Sequence, residues 1–487
     1  MPPKETPTAA IERLLNSGDA LGALRVADEL IAKSRQSFPG WLTRGCVNLN
    51  LGRLAEADID IDHALKLAPK DPHANLLRGM IDQRIGRIDS AIKHLRLVTA
   101  SNAPQSIEAS VTLAEVYWFS HRRKELAAFM EAGGAWTKDP RAALMNARLR
   151  ASEDRDGAIV ELTTLSARER SPVLRRVAGF EAVGLLDKAG RFREAFDLAT
   201  KLHADTTPPF DLEGLLAPVR ESEAQLRAGF TPNAPRVDAV TNLALVVGLP
   251  RSGTTLLEQM LDACPAISGI GEYDGLDTLS NDLISTGRWP RGAASMTRET
   301  LTAMQSRYMS GALRLKREGA TIMFDKTLRA WRMMPMIAAV LPGTVCFHVA
   351  RDPRDTAIST FLSYFHPLND GWTASLPSLR RVLEAERSIF PQLLDSYGFS
   401  HERIVYEDFV ADPAQHAAQC LQRLGLAMDE RVLAPEANTR AVFTLSHEQV
   451  RRPINRTSIG RWKNYEFAFD GSWDALAAAH DSRRRIR

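Results

Sequence analysis

The sequence predicts two domains: an all-α array of helical repeats, then an α/β domain built on a parallel sheet. Small residues return at a fixed interval in the first part of the chain, and short apolar runs alternate with helical stretches in the second part. The length of 487 residues, 44% of them hydrophobic, also exceeds what one hydrophobic core accommodates. We therefore expect a repeat domain over residues 8–205, a connector over 206–240 and an α/β domain over 241–475.

The repeat domain is predicted from a period of 34 residues. Gly18, Gly52 and Gly86 are spaced by this interval, and an alanine follows each of them five residues later. In such a unit a glycine ends the first of two antiparallel helices, and small residues let the two helices approach closely. The pattern resembles tetratricopeptide repeats. Arrays of this kind present a groove to a protein or peptide partner, or join two copies into a homodimer, and the sequence does not decide between these roles.

The α/β domain is predicted from apolar runs of strand length. The connector before it is rich in proline and contains one expected helix, Leu212–Ala228. Parallel strands covered by helices on both faces suit this alternation. The expected strands are Leu243–Val247, Thr321–Phe324, Thr344–Val349 and Arg403–Tyr406, and the expected helices lie near Thr254–Ala263, Trp331–Val340, Pro353–Tyr364 and Pro413–Leu424.

A phosphate-binding loop follows the first expected strand. In a nucleoside-triphosphate loop, G-x-x-x-x-G-K-[ST], the lysine reaches the β- and γ-phosphates. Here Gly248, Gly253 and Thr255 match that form, but Thr254 stands at the lysine position. Backbone N–H groups and a helix N-terminus remain to hold an anion. The loop therefore predicts a nucleotide with a 5′-phosphate-type group and no triphosphate.

Two further segments accompany this loop. One runs from Arg351 to Ser359, and its proline at 353 starts an expected helix after a strand. The other runs from Ser446 to Asn455 and continues to Arg461. Together with the loop, they resemble sulfotransferases, most closely tyrosylprotein sulfotransferases and bacterial proteins that fuse tetratricopeptide repeats to such a domain. The resemblance implies 3′-phosphoadenosine 5′-phosphosulfate (PAPS) as the donor and a P-loop-like sulfotransferase domain.

The resemblance also assigns the residues that bind the donor. The loop would hold the 5′-phosphosulfate, Arg351 and Ser359 would hold the 3′-phosphate, and later residues would pack at the nucleotide. This chain has Ser363 where the family has a further arginine, and Arg461 where the relatives have lysine. The implied donor-binding residues are Arg251, Ser252, Gly253, Thr254, Thr255, Arg351, Ser359, Tyr406, Asn455 and Arg461.

The same resemblance assigns the catalytic residues. Sulfuryl transfer to a hydroxyl needs a general base, and Glu272 stands at the family's carboxylate position. Lys326 would neutralise charge on the bridging oxygen, with Asp325 as its ion-pair partner. Arg251 and Ser446 would contact the sulfuryl group. His447 is a rival base, whereas His348, inside an expected strand, is interpreted as a core residue.

The acceptor and the reaction class stay open from the sequence. The repeats favour a protein or peptide acceptor such as tyrosine, while small molecules and glycans are alternatives. The rival functions are an ATP-dependent kinase or NTPase with a variant loop, and a non-catalytic scaffold that senses nucleotide. Against the kinase, the loop lacks its lysine and no magnesium-binding carboxylate follows an apolar strand.

Composition and local sequence patterns argue against several other classes of protein. Four scattered cysteines without metal-ligand spacing predict neither a disulfide framework nor a metal site. A net charge of +3 gives no general attraction to nucleic acid. No apolar run approaches the roughly 20 residues that span a bilayer. Since the first residues also lack a signal-peptide pattern, we expect a cytoplasmic protein that needs no membrane and no metal.

Overall fold

A computed structural model describes residues 7–17, 19–229, 237–289, 295–438 and 452–485. The chain divides into two compact units, and the described residues change from the first to the second between Leu149 and Arg150. The first unit is all-helical, and the second contains both helices and the sheet.

The first unit consists of consecutive antiparallel helix pairs of the tetratricopeptide-like kind. Gly86 has a φ of +83° directly after a helix, so a left-handed residue ends that helix as the repeat pattern predicts. A Cβ on Gly79 would lie 2.5 Å from the Cγ of Leu95, which explains why a small residue is needed where the paired helices meet. Its helices are α1 (Pro7–Asn16), α2 (Ala20–Lys33), α3 (Phe38–Asn50), α4 (Leu54–Leu67), α5 (Pro72–Arg84), α6 (Ile88–Thr99), α7 (Ser106–Phe119), α8 (Arg123–Ala132) and α9 (Pro140–Arg150), the last of which ends at the unit boundary.

The second unit begins with four helices and then forms a five-stranded parallel sheet. The helices are α10 (Arg155–Arg168), α11 (Pro172–Lys188), α12 (Phe192–Thr206) and α13 (Leu212–Arg227). The strands are β1 (Leu243–Val247), β2 (Ile267–Gly271), β3 (Ile322–Lys326), β4 (Val345–Ala350) and β5 (His401–Val405), in the order β2-β3-β1-β4-β5. The predicted parallel sheet is confirmed, and β2 is a strand that the sequence interpretation missed.

Helices follow the strands and cover the sheet. They are α14 (Thr254–Asp262), α15 (Gly275–Ser285), α16 (Arg298–Leu315), α17 (Met334–Val340), α18 (Pro353–Phe361), α19 (Leu376–Ser396), α20 (Tyr406–Phe409), α21 (Pro413–Arg423) and α22 (Asp474–Arg485). Every residue of β1 is buried, as expected for the central strand of a sheet that is covered on both faces. None of the described helices is long and apolar enough to cross a membrane.

The strand order places three strand ends side by side. Because β1 lies between β3 and β4, Val246 is in register with Lys326, and Val247 is in register with His348. After β1 the chain forms β2 and β3 on one side of this central strand, and it then crosses to form β4 and β5 on the other side, so the direction of strand addition reverses at β1. Ligands of open α/β sheets bind at such a reversal, beyond the carboxyl ends of the strands.

Candidate functional site

The loop after β1 has an unusual backbone conformation. Gly248 and Gly253 have φ values of +148° and +110°, and Arg251, which is not a glycine, has a φ of +68°. A Cβ on Gly248 would lie 2.5 Å from the carbonyl oxygen of Val349, so the loop packs directly on the end of β4. Strained conformations of this kind concentrate at ligand sites, where neighbouring structure holds them in place.

The loop and the Arg351 segment meet side chain to side chain. The Nε of Arg251 donates a hydrogen bond to the Oγ of Ser359 at 2.9 Å. Nη1 of Arg351 donates to the carbonyl oxygen of Arg251 at 3.0 Å, and the Arg351 guanidinium lies 4.9 Å from the ring centroid of Tyr406. A Cβ on Gly253 would lie 2.5 Å from Cδ2 of the same ring. Residues that are about 100 positions apart in the chain therefore form one cluster.

This cluster is rich in positive charge. Burial, with Arg351 and Arg461 nearby, lowers the pKa of Arg251 to about 10. The carboxylate of Asp355 is 3.7 Å from Arg351, but it also accepts the backbone N–H groups of Gly460 and Trp462 at 2.7 and 2.8 Å. Guanidinium groups gathered in a partly desolvated pocket favour a bound anion.

Two buried donors of the cluster have no protein partner among the described residues. They are the hydroxyl of Ser252, which is 2% exposed, and the Nε of Arg351, which is 6% exposed. Buried polar atoms are almost always hydrogen-bonded, and anionic oxygens would satisfy both. The residues present therefore fit the phosphate groups of a nucleotide.

A second cluster surrounds Lys326 at the end of β3. Its Nζ lies 3.2 Å from Oε1 of Glu272 and 3.4 Å from Oε2 of Glu258, and it donates to the hydroxyl of Thr255 at 3.3 Å. The lysine side chain is 1% exposed, whereas that of Glu272 is 52% exposed. A buried cation thus lies beside the phosphate loop, next to a carboxylate that solvent or a substrate can reach.

Asp325 does not have the role that the sequence suggested. Its carboxylate accepts a hydrogen bond from the hydroxyl of Tyr308, and burial raises its pKa to about 8. The buried carboxylate beside Lys326 is Glu258, which the sequence interpretation missed. Thr255 and Glu258 are three residues apart on α14 and share one face of the helix, and this spacing was the available signal.

The remaining predicted residues have varied surroundings. Thr254 and Thr255 are buried in the first turn of α14. Asn455 is exposed and accepts the backbone N–H of Thr457 at 3.1 Å, so its side chain stabilises a turn. The guanidinium of Arg461 lies 2.5 Å from the carboxylate of Asp187 on α11. Ser446 and His447 lie outside the described residues.

His348 is a core residue, as the sequence interpretation held. It is 2% exposed, and its Nε2 lies 2.6 Å from Oε1 of Glu386, which is buried as well. The described residues also include no group of three or more His, Cys, Asp or Glu side chains placed to hold a metal ion.

Comparison with known proteins identifies the domain that carries these clusters. Residues 244–430 match the model of the sulfotransferase family. The C-terminal region contains a sulfotransferase-family domain. This matched region includes the loop, Glu272, Lys326 and the Arg351 segment, and it ends before Asn455 and Arg461.

Individual relatives are distant. The chain is 23% identical over 266 residues to protein-tyrosine sulfotransferase 1 of Danio rerio, covering 49% of this chain and 71% of the relative. It is 21% identical over 235 residues to protein-tyrosine sulfotransferase 2 of Gallus gallus, covering 45% and 62%. An uncharacterized protein of Aquifex aeolicus (strain VF5) is 26% identical over 231 residues, covering 45% and 30%. The chain thus spans less than two thirds of the length of the last two relatives.

Proposed function

We propose that this protein is a PAPS-dependent sulfotransferase that transfers a sulfuryl group to a hydroxyl acceptor. The observation that carries the proposal is the pairing of buried Lys326 with exposed Glu272, 3.2 Å apart, beside the hydroxyl of Thr255 on the phosphate loop. A lysine can neutralise a departing oxygen, and an accessible carboxylate can remove a proton from an acceptor.

The choice of donor rests on the arginine cluster. Arg251, Arg351 and Ser359 form a cation-rich pocket, where the buried donors of Ser252 and Arg351 have no partner among the residues that the structure describes. The loop itself lacks the lysine that would bind a triphosphate, since Thr254 stands there. These features suit a nucleotide with one phosphate at the loop and another near Arg351, as in PAPS. The two buried threonines of α14 and the ring of Tyr406 complete the proposed pocket.

Each residue then has a defined task in the proposed reaction. The donor supplies an already activated sulfuryl group, so the chain needs to bind, align and exchange protons only. Glu272 takes the proton of the acceptor hydroxyl, and Lys326 hydrogen-bonds to the bridging oxygen as charge develops there. Arg251 holds a sulfuryl oxygen, and Ser446 is assigned the same task from the family resemblance.

We infer that the acceptor is a protein or peptide, with tyrosine as the first choice. The similarity to the two protein-tyrosine sulfotransferases supports this choice, as does the helical repeat array. A tyrosine hydroxyl has an ordinary pKa near 10, so a base such as Glu272 assists its attack. A cytoplasmic location belongs to the same proposal, and the free cysteines of the described residues suit a reducing compartment.

The test is transfer of label from ³⁵S-labelled PAPS to a panel of tyrosine peptides, phenols and sugars. We expect the wild type to label a peptide, and Glu272→Gln to lose most turnover while it still binds adenosine 3′,5′-bisphosphate. Glu299→Gln, an exposed carboxylate on α16, is the matched control and keeps full activity. Labelling of sugars or phenols alone would move the acceptor to a glycan or small molecule. No transfer to any acceptor would refute the proposed function, and turnover retained in Glu272→Gln but lost in His447→Ala would refute the base.

A further inference from the structure

Among the described residues, Lys326 has two carboxylate partners that differ strongly in exposure. Glu272 lies 3.2 Å from its Nζ and is half exposed, while Glu258 lies 3.4 Å away and its side chain is 2% exposed. The family resemblance accounts for the first partner and gives no role to the second. One ammonium group between two carboxylates raises the question of what the buried one does.

Glu258 is held in place both by its position in a helix and by a hydrogen bond to its carboxylate. Its Cα belongs to α14, one turn after Thr255, and its Oε1 accepts the backbone N–H of Gly271 at the end of β2, at 3.0 Å. Its other oxygen is the one that faces Lys326. A buried carboxylate held in this way cannot turn toward water, so it depends on the neighbouring cation for its stability.

The proposed reaction explains why a second carboxylate is needed, and this inference rests on that proposed function. When Glu272 accepts a proton it becomes neutral and no longer stabilises the positive charge of the buried Lys326. At that same moment the charge of Lys326 is needed to stabilise the departing oxygen. We propose that Glu258 is a positioning residue that keeps Lys326 protonated and aligned while Glu272 acts as the base. Glu258 itself exchanges no proton.

The step balances with this assignment. The O–H bond of the acceptor breaks, its proton moves to Glu272, and the oxygen's electron pair forms the new O–S bond. The bond between sulfur and the bridging oxygen breaks, and its electron pair stays on the departing adenosine 3′,5′-bisphosphate. Lys326 hydrogen-bonds to that oxygen and retains its own proton, because Glu258 remains negative beside it.

Other groups near Lys326 do not replace Glu258. Thr255 on α14 is neutral. Asp325, the preceding residue on β3, accepts a hydrogen bond from the hydroxyl of Tyr308, and neighbouring residues of a strand direct their side chains to opposite faces. Asp277 on α15 forms an ion pair with Arg329 at 3.4 Å. Within the part of the chain that the structure describes, the carboxylates that form ion pairs with the ammonium group are Glu258 and Glu272.

The chain offers a matched control on the same helix. Asp262 is also a buried carboxylate of α14, is 1% exposed, and accepts a backbone N–H of β2, that of Gly269, at 2.7 Å. Its ion pair is with Arg317, at 3.4 Å. Asp262→Asn therefore removes an equally buried charge and perturbs the same two elements without changing the charge beside Lys326.

The experiment is the pH profile of kcat for wild type, Glu258→Gln and Asp262→Asn. Since an adjacent anion favours the protonated lysine, Glu258→Gln should shift the alkaline limb to lower pH by about 1–3 units. At pH 8.5 we expect kcat to fall by up to roughly 10-fold, the loss that a shift of about 3 units produces, with the KM for the donor changing less than about threefold. Asp262→Asn should leave the alkaline limb in place. An alkaline limb that is the same in Glu258→Gln and wild type would overturn the inference.

A second readout separates this inference from the proposed function. The ¹³Cε resonance of Lys326, assigned by its loss in Lys326→Arg, reports lysine protonation without turnover. A lower titration midpoint in Glu258→Gln but not in Asp262→Asn supports the inference even if the wild type transfers no sulfuryl group. An unchanged midpoint in an active enzyme refutes the inference alone. If Glu258→Gln does not fold, Glu258→Asp takes its place, because it keeps the negative charge and shortens the side chain. A titration midpoint equal to that of the wild type, with a reduced kcat, then supports the inference. A lowered midpoint in Glu258→Asp contradicts it.

Discussion

The most sharply defined consequence of the loop geometry concerns Gly253→Ala. Gly253 has a φ of +110°, and a Cβ there would lie 2.5 Å from Cδ2 and 3.1 Å from Cε2 of Tyr406. The ring is buried, and the Arg351 guanidinium lies 4.9 Å from its centroid. The new methyl group must therefore displace either the loop or the ring, and both belong to the proposed donor pocket.

The expected cost has two parts. A side chain in this backbone region costs about 1–3 kcal/mol of strain, and overpacking against a buried ring costs about 1–3 kcal/mol more. We expect Gly253→Ala to lower the free energy of unfolding by roughly 2–6 kcal/mol. Affinity for adenosine 3′,5′-bisphosphate should fall at least about tenfold, since a pocket displacement worth 1.4 kcal/mol has that effect.

Urea denaturation and calorimetric titration measure these two effects. Gly398→Ala is the control, because Gly398 lies in the same unit with a φ of +68°, and no atom of the described residues is within 4 Å of an added Cβ there. Gly398→Ala introduces backbone strain without a steric clash. It should lower the free energy of unfolding by about 1 kcal/mol and leave the affinity for adenosine 3′,5′-bisphosphate unchanged. If Gly253→Ala destabilises the protein no more than Gly398→Ala and binds the nucleotide normally, the reasoning about Tyr406 is wrong.

Two further predictions concern the helices that precede the sheet within the second unit. Asp187→Asn should weaken binding of adenosine 3′,5′-bisphosphate by about tenfold in calorimetry, because the ion pair that holds Arg461 is lost. The control is Asp205→Asn, which removes an exposed ion pair between α12 and Arg175 of α11. Equal affinities in the two variants would contradict the prediction. Burial lowers the pKa of His203 to about 4, below an unfolded value near 6.5, so the unfolded state binds the extra proton and stability falls as the pH drops from 6.5 toward 4. His203→Gln should flatten that loss by up to about 1.4 kcal/mol per pH unit in urea titrations at pH 6.5 and 5, and identical slopes would count against it.

The elements that sequence predicted best are those with strong local signals. The apolar run Leu243–Val247 is β1 residue for residue, and Pro353 starts α18 where a proline at the first helical position is favoured. The strand β2 was missed because Ile267–Gly271 contains two glycines, which weaken both β-propensity and hydrophobic alternation. Local pattern therefore identified the core of the sheet and not its weak edge.

The prediction of the site also succeeded where the signal was local and failed where it depended on long-range packing. Motifs with fixed spacing placed Arg251 and Arg351 after strands and Ser359 in the helix that follows Arg351, and the structure brings the three residues into contact. The partner of Lys326 was misjudged because adjacency in sequence favoured Asp325, while the contact with Glu258 depends on how α14 packs on the sheet. The spacing of Thr255 and Glu258 places both residues on one face of α14, but it does not say which strand end that face meets.

The repeat pattern likewise could not reveal which helices belong with the sheet. The period predicts helices up to about residue 205, yet α11 and α12 lie in the same compact unit as β1–β5. Nε of Arg176 on α11 donates to the carbonyl oxygen of Phe365 at 3.1 Å, and Nε2 of His203 on α12 bonds to that of Phe361 at 2.9 Å. α12 therefore contacts the end of α18, the helix that carries Ser359, and α11 contacts the segment that follows it.

The central claim is that the loop and the arginine cluster bind a nucleotide with a 3′-phosphate and no triphosphate. Isothermal titration of the full chain with adenosine 3′,5′-bisphosphate and with ATP plus magnesium tests it most directly. We predict 1:1 binding of adenosine 3′,5′-bisphosphate at least about 100-fold tighter than that of ATP, a difference of about 2.7 kcal/mol. Tight magnesium-dependent ATP binding without affinity for adenosine 3′,5′-bisphosphate would contradict the account and favour a kinase or NTPase.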